Sequence, residues 1–528
     1  LGHRAAIWRD AAGAPPRGQD DMNTRAELGT LEASGLIQVA TFDPELEYLF
    51  RHALVQDAAY GSLLKQDRRA LHRLAADTLL ALYPERKREL AAVIAMHLEQ
   101  AGDDARAAEH LVVAGEHALE RFANREAIGF FDRALRLIGA GDETIDLRLR
   151  ATIGQGKVGW SFTGSDRYID QLESIVEEAG DRADPRLIAD AYFWVAFLRR
   201  WRGELPGSSP ALKRALDEAA RIGEALGDVS ANAIPRAFMG VGLIFTGHLR
   251  EGTRETREAL DLMEGKADSL STAMLNGFLA LGYTRLGEFA EAERTLMRSK
   301  ELSAKGDQIA RLDSEIARVS LFLERGDLQA GVELGTRCAA DAEVLGATAC
   351  AVASNVMLGS CRLQLDDVLG AKSPLERGLE LAAVTSMPAM RTLGQAMTGS
   401  VRTRLGDKAA GTAEWGEALT AAHAMSDQYG EAVTLWNRGR SRARQREPDY
   451  AAALADLDAA RLLFESMEAR PGLARVLRDR AQTLRALGRE GEADEADRSA
   501  RMLAHELGLL DFAGGAAVTP GEVPPPKS

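Results

Sequence analysis

The sequence predicts an all-α chain built as a solenoid of paired helices, and three observations carry that prediction. The first is the stretch Leu279 to Leu302, which reads as two short helices meeting at a turn. Leu279, Tyr283 and Leu286 fall on one face at helical spacing, and Gly287 closes the helix because a residue without a Cβ takes the left-handed conformation freely. The second is recurrence: turn residues stand at Gly247, Gly287, Gly326, Asp366, Gly406, Pro448 and Gly488, a period of about 40 residues. The third is the small residue that follows each turn, namely Gly252, Ala292, Gly331, Ala371, Gly411, Ala453 and Ala493, where two helices must approach closely. A single hairpin cannot bury its own apolar face, so such units stack.

This pattern resembles the tetratricopeptide repeat, with its Leu-Gly-x-x-Tyr helix, turn glycine and small residues in the second helix. The period is longer than the usual one of about 34, which implies longer helices in a tetratricopeptide-like helical-repeat solenoid. Solenoids of this kind bind proteins and peptides on their inner surface.

Composition agrees with a folded chain: 528 residues, 46% hydrophobic and 27% charged. A net charge of −14 argues against general nucleic-acid binding, which needs clustered Lys and Arg. Three cysteines, Cys338, Cys350 and Cys361, are too few and too irregularly spaced for a disulfide framework. They read as small core residues in a reducing, cytoplasmic compartment. No apolar run reaches the roughly 20 residues a membrane span needs, and the opening LGHRAAIWRD is not a secretory signal. That opening lacks methionine, so the sequence is expected to be a fragment of a longer protein or to lack its own start.

Taken in order, residues 1 to about 35 read as poor helices interrupted at Gly13-Ala14-Pro15-Pro16. Two short apolar runs around Asp43-Pro44 then predict a hairpin, and a helix follows from about His52. Helix, hairpin and helix make the end of a winged-helix domain. GLIQV, then YLFRHALVQDAAYGSLLKQDRRALHRLAA, resembles the segment that joins the ATPase module to the repeats in bacterial STAND-type signalling ATPases. HLEQAGDDARAAEHLVVAGEHALERFANREAIGFFDRALRLI is similar to the first repeat helices of that family. The resemblance implies an upstream ATPase module, and either a linked class III adenylate or guanylate cyclase or a LuxR/MalT-like regulatory output. Because the chain ends in PGEVPPPKS and not in a helix-turn-helix, the cyclase-linked arrangement is the one expected.

Arg51-His52-Ala53-Leu54-Val55-Gln56-Asp57 also resembles the Met-His-Asp-Leu-Val-x-Asp stretch of plant NLR receptors, whose histidine touches the ADP phosphate. The resemblance implies a nucleotide-sensing role for His52 in a full-length parent. Ala53 departs from it, and capping or packing of the helix start is the alternative role.

Gly154-Gln155-Gly156-Lys157-Val158-Gly159 matches G-x-G-x-x-G, but a dinucleotide fold would need a preceding strand in a βαβ unit. The surrounding helical pairs predict a helix there instead. Trp194, Phe197 and Trp201 form an aromatic stripe that suits core packing, with a ligand pocket as the second possibility. No HExxH, Cys/His ligand set, G-x-S-x-G elbow or kinase signature occurs, so neither metal, cofactor nor catalysis is expected.

One basic stretch interrupts the acidic surface. In WNRGRSRARQR, Arg438, Arg442 and Arg446 recur every four residues and share a helical face. With Arg475, Arg478 and Arg485 in the next repeat and Arg402 in the one before, they would make a concave basic cradle for an acidic partner. The competing reading pairs them with acids on neighbouring helices.

The expected organisation is a winged-helix remnant over 1–62, a helical linker with the first repeat helices over 63–140, the solenoid over 141–510, and a disordered tail over 511–528. The expected function is the non-catalytic sensor and interaction region of a signal-transducing STAND ATPase, taking a protein or peptide ligand and controlling a linked cyclase. A free-standing repeat scaffold, or the effector-binding half of a transcriptional regulator, are the alternatives.

Overall fold

The computed structural model describes residues 19–41, 47–121, 123–204, 209–227, 229–264, 269–303, 308–385 and 387–512. The chain divides into two compact units. One runs to Leu119 and includes Arg125–Ala140; the other holds Glu120–Asn124 and the chain from Gly141 onward.

The first unit begins with α1 (Gln19–Ala33) and the antiparallel strands β1 (Ile37–Thr41) and β2 (Glu47–Phe50). Ile37 pairs with Phe50 and Val39 with Tyr48. The expected turn at Asp43-Pro44 lies outside the described residues, as do Gly13 to Pro16. Helices α2 (Ala53–Ser62), α3 (Lys65–Leu82), α4 (Ala91–Ala101), α5 (Asp104–Glu120) and α6 (Asn124–Leu137) follow. Their core gathers Ala76, Leu79, Leu90, Ile94, Leu98 and Ala107.

Among the described residues, the second unit is a solenoid of eighteen helices in nine consecutive pairs. These are α7 (Ile145–Thr163) with α8 (Asp166–Ala179), α9 (Pro185–Trp201) with α10 (Pro210–Leu226), and α11 (Val229–Phe245) with α12 (Leu249–Met263). Next come α13 (Ser269–Leu286) with α14 (Phe289–Ser303), α15 (Gln308–Arg325) with α16 (Leu328–Leu345), and α17 (Thr348–Gln364) with α18 (Val368–Thr385). The last are α19 (Pro388–Arg404) with α20 (Lys408–Ala424), α21 (Gln428–Ala443) with α22 (Tyr450–Ser466), and α23 (Arg470–Ala486) with α24 (Glu490–Leu507). All seven predicted turn residues fall between the two helices of a pair, and Ala292, Ala371, Ala453 and Ala493 are fully buried where the second helix meets the first. This is the all-α, tetratricopeptide-like solenoid that the repeat pattern predicts. Aspartates start several helices: Asp407, Asp427 and Asp449 each accept a hydrogen bond from the backbone N–H three residues on, at 3.0, 2.8 and 2.9 Å.

The G-x-G-x-x-G stretch lies inside α7, as a helix. Gly159 is a packing residue: a Cβ there would lie 2.2 Å from the Tyr168 ring of α8. The three cysteines are buried thiols, none of them in a disulfide among the described residues, and burial pushes those of Cys338 and Cys361 up to about 12.

The pairs wind so tightly that the chain meets itself five pairs later. The Thr348 hydroxyl donates to the Phe162 carbonyl at 3.3 Å, joining α17 to α7. Turn glycines supply further contacts of this seam. Gly203 sits against Pro388 and Met425, Gly247 against Gln428 and Met467, Gly287 against Pro471 and Leu507, and Gly326 against Asp511. Arg250 adds an ion pair to Glu468 at 2.7 Å. The sequence predicts a disordered tail from residue 511, yet Asp511 and Phe512 end a docked 3-10 turn, Leu510–Phe512; the tail beyond them lies outside the described residues.

Candidate functional site

The first helices of the solenoid surround a half-open cavity along its axis. Every first helix from α7 to α21 contributes to its wall, and α23 adds Gly472. Its volume, taken as the space open to the centre of a water molecule, is about 190 Å³.

The wall is aromatic at one end. Trp160 and Trp201 have ring centroids 4.6 Å apart, Phe197 and Phe238 5.1 Å, and Phe245 and Phe278 5.8 Å. Phe197 and Trp201 of the predicted aromatic stripe therefore face the cavity, while Trp194 packs beside Phe193 at 5.3 Å in the core. Packing and pocket lining are here the same surface. Met274, Met357, Met387, Met390, Met397 and Met425 line much of the rest; unbranched, polarizable side chains of this kind adapt to the shape of a guest.

A short polar arc crosses this apolar wall. Arg200, at the end of α9, donates to the carbonyls of Glu204 and Gly242 at 3.3 and 3.4 Å, and its buried Nε has no hydrogen-bond partner among the described residues. Burial lowers its pKa to about 10, with Asp427 acting in the opposite direction. Arg285 of α13 donates to the Ile244 carbonyl at 3.2 Å and lies over the Tyr429 ring at 3.8 Å. Asp427, which caps α21, is held above its ordinary value by burial, against the pull of Arg285 and Arg200. Among the described residues, the buried Trp201 indole N–H also lacks a partner. The cavity thus combines apolar volume with guanidinium groups whose donors are poorly satisfied, which suits a ligand of mixed character.

The predicted arginines are placed differently from the expected cradle. Arg438 forms two hydrogen bonds with Asp456, at 2.9 and 2.6 Å, and Arg442 reaches the same carboxylate at 2.6 Å. Arg402 pairs with Glu414 at 3.4 Å, and Arg485 with Asp494 and Asp497 at 3.2 and 3.6 Å. Arg475 is only 1% exposed, held between Glu324 and Asp511 at 3.0 Å each. Arg478 donates to the Asp511 carbonyl at 3.3 Å and covers the Phe512 ring. Arg446 is exposed beyond the end of α21. The open basic cradle is corrected: six of these seven are taken up by acidic groups on second helices, on other superhelical turns or at the chain end. Sequence spacing gives which residues share a face, but not which way that face points. His52 stands at the N-cap position of α2, exposed and, among the described residues, without a side-chain capping bond.

Among the described residues, no group of three His, Cys, Asp or Glu is placed to hold a metal, and no helix is long and apolar enough to cross a membrane.

The fold and cavity define the class as helical-repeat proteins. Solved structures of similar architecture include a Rap protein complexed with competence and sporulation factor, at 11% identity and TM-score 0.41, covering 76% of this chain and 98% of that one. The apo quorum sensor NprR from B. thuringiensis aligns at 14% identity and TM-score 0.42, covering 68% and 99%. A STAND protein with a tetratricopeptide repeat sensor from Pyrococcus horikoshii aligns at 13% identity and TM-score 0.35, covering 86% and 66%. No protein-family profile matches the chain, and no curated protein does.

Proposed function

We propose that this chain is the sensor region of a signal-transducing protein, and that its C-terminal unit takes a peptide ligand into the axial cavity. The observation that carries the reading is the aromatic and methionine wall of the axial cavity, interrupted by Arg200, Arg285 and Asp427. Apolar side chains of the peptide occupy the wall, and its carboxylate or carbonyl groups meet the guanidinium donors. Because the wall draws on helices five pairs apart, a ligand that touches both sides favours the closed superhelix and raises its stability by mass action.

In the fuller form of this reading, the first unit carries the end of a winged helix, and an upstream STAND-type ATPase, with a linked cyclase, receives the signal. The helix–hairpin–helix order and the residues around His52 support it. In such a parent, His52→Ala loosens ADP and raises basal output; unchanged ADP retention would leave His52 a structural residue.

The cavity is tested by incubating the full chain with a pool of short peptides and identifying those retained by mass spectrometry. Apolar peptides should be enriched, and enrichment should vanish in Ala317→Trp, which fills the cavity from α15, without loss of thermal stability. Equal enrichment in the filled variant, or no preference for apolar over polar peptides, overturns the reading.

A further inference from the structure

A second set of arginines lies apart from the seven predicted ones and is not used by the axial cavity. Arg404 at the end of α19, with Arg440 and Arg444 at the end of α21, lines a small depression together with Leu363, Ser400 and Ser441. Asp479 of α23 is the buried carboxylate at this cluster. It accepts from the Trp436 indole at 2.7 Å and from Arg444 at 3.5 Å. Burial works to raise its pKa, but Arg440, Arg444, Arg478 and the indole outweigh that and hold it below its ordinary value.

The acceptors do not match the donors. Arg440 comes no nearer to Asp479 than 3.9 Å and makes no hydrogen bond among the described residues, although its side chain is only 15% exposed. Arg444 has one long bond, and Arg404 has its ion pair with Asp366, which is itself exposed. Ser441 donates to Ser400 at 3.0 Å, and the Asn437 amide donates to the Val433 carbonyl, so the neutral groups at the site are already engaged with one another. Gathering three guanidiniums in this way is costly. Burial pushes the pKa of Arg440 down to about 10, with Arg444, Arg478 and Arg404 adding to the effect against Asp479. A guanidinium has five N–H donors and no acceptor, and the carboxylates around these three leave some of those donors to the solvent in the depression.

We propose that Arg404, Arg440 and Arg444 form an oxyanion site that takes a phosphoryl group, either as free phosphate or as a small phosphate monoester. The three guanidiniums come from the ends of two helices and line one depression. A tetrahedral oxyanion presents acceptors to all of them, whereas a planar carboxylate has two oxygens in one plane. The site also reports on itself. Trp436 shares Asp479 with Arg440 and Arg444, and it lines the axial cavity. An anion that draws the arginines away from Asp479 changes the electrostatic surroundings of this indole.

The test is calorimetric titration of the full chain with inorganic phosphate at low ionic strength, repeated with phenyl phosphate and with acetate. One saturable site is expected, weakened about tenfold or more in Arg440→Gln, and unchanged in Arg438→Gln, whose side chain belongs to Asp456. Arg404→Gln, at the more open side of the site, gives the same loss should Arg440→Gln fail to fold. Tighter binding of phenyl phosphate than of phosphate identifies a monoester as the preferred source, and the reverse identifies the free ion. Phosphate should also shift tryptophan emission in the unmodified chain and not in Trp436→Phe. Absence of saturable phosphate binding to the folded protein, unchanged affinity in both arginine variants, or acetate binding as tightly as phosphate overturns the proposal.

Discussion

The guanidinium of Arg475 meets the carboxylate of Glu324 at 3.0 Å across 151 residues of sequence. The same guanidinium donates to the Glu324 and Leu323 carbonyls at 2.8 and 3.2 Å and binds Asp511 on its other side. Glu324 in turn accepts from the Tyr429 hydroxyl at 2.6 Å. One buried cation thus joins α15, α23 and the C-terminal turn.

Replacing Arg475 by Met leaves Glu324 buried without its cation and Asp511 with only Arg478 among the described residues, at 3.7 Å. Loss of one partner of a buried pair costs about 3–5 kcal/mol, so Arg475→Met should lower the urea midpoint sharply. Arg485→Met, which removes an exposed pair, should change it by about 1 kcal/mol or less. Equal effects of the two substitutions would show that the seam contributes little.

Gly203 and Gly406 both have positive φ, 96° and 100°. Alanine at Gly406 meets open space and bears only the backbone penalty of about 1–2 kcal/mol. At Gly203 the same Cβ would lie 2.4 Å from Pro388, so the two superhelical turns must separate. Gly203→Ala should therefore be the more destabilising, and hydrogen exchange should rise at α19 as well as at α9.

Ser426 is exposed and adopts a φ of 51°. Glycine takes this conformation without the Cβ penalty, offset in part by its greater unfolded-state entropy. Ser426→Gly should stabilise the protein by roughly 0.5–1 kcal/mol in denaturant melts.

In the first unit, His72 and His97 share a hydrogen bond of 2.8 Å between their Nδ1 atoms, and the Tyr60 hydroxyl lies 3.0 Å from His72 Nε2. Burial lowers both pKa values below the ordinary 6.5, and His72 lowers that of His97 further. With folded values depressed, the unfolded chain binds more protons just below 6.5. The contribution is present in full above that pH and is lost as pH falls through the folded values. Stability of this unit should decline between about pH 7 and pH 5, and His97→Gln should flatten that part of the profile.

The repeat turns and the small buried residues were legible in the sequence because both are local: a turn glycine and a close helix contact depend on neighbours within one pair. The seam was not. Contacts such as Arg250 with Glu468 depend on the rotation accumulated over five pairs, and a small error per pair moves them entirely. The cavity was half legible. Phe197 and Trp201 stood out as a stripe, but only closure decides that they face a void as well as a core. The arginine rows show the same limit. In WNRGRSRARQR the alternating arginines make two rows, Arg438 with Arg442 and Arg440 with Arg444. Spacing alone favoured the longer row, which the acidic face of α22 neutralises through Asp456, while the shorter row remains poorly satisfied.

The docking of turn glycines five pairs apart has a consequence for how such a protein can change. An open array gains or loses a module with little disturbance elsewhere, because each repeat touches only its neighbours. Here, deleting one pair would bring Gly203 opposite the wrong loop, and would displace every later cross-turn partner down to Gly326 and Asp511. Variation is thereby channelled into substitutions along the cavity wall and away from changes in module number, so that new ligands are reached by repainting a chamber of fixed dimensions.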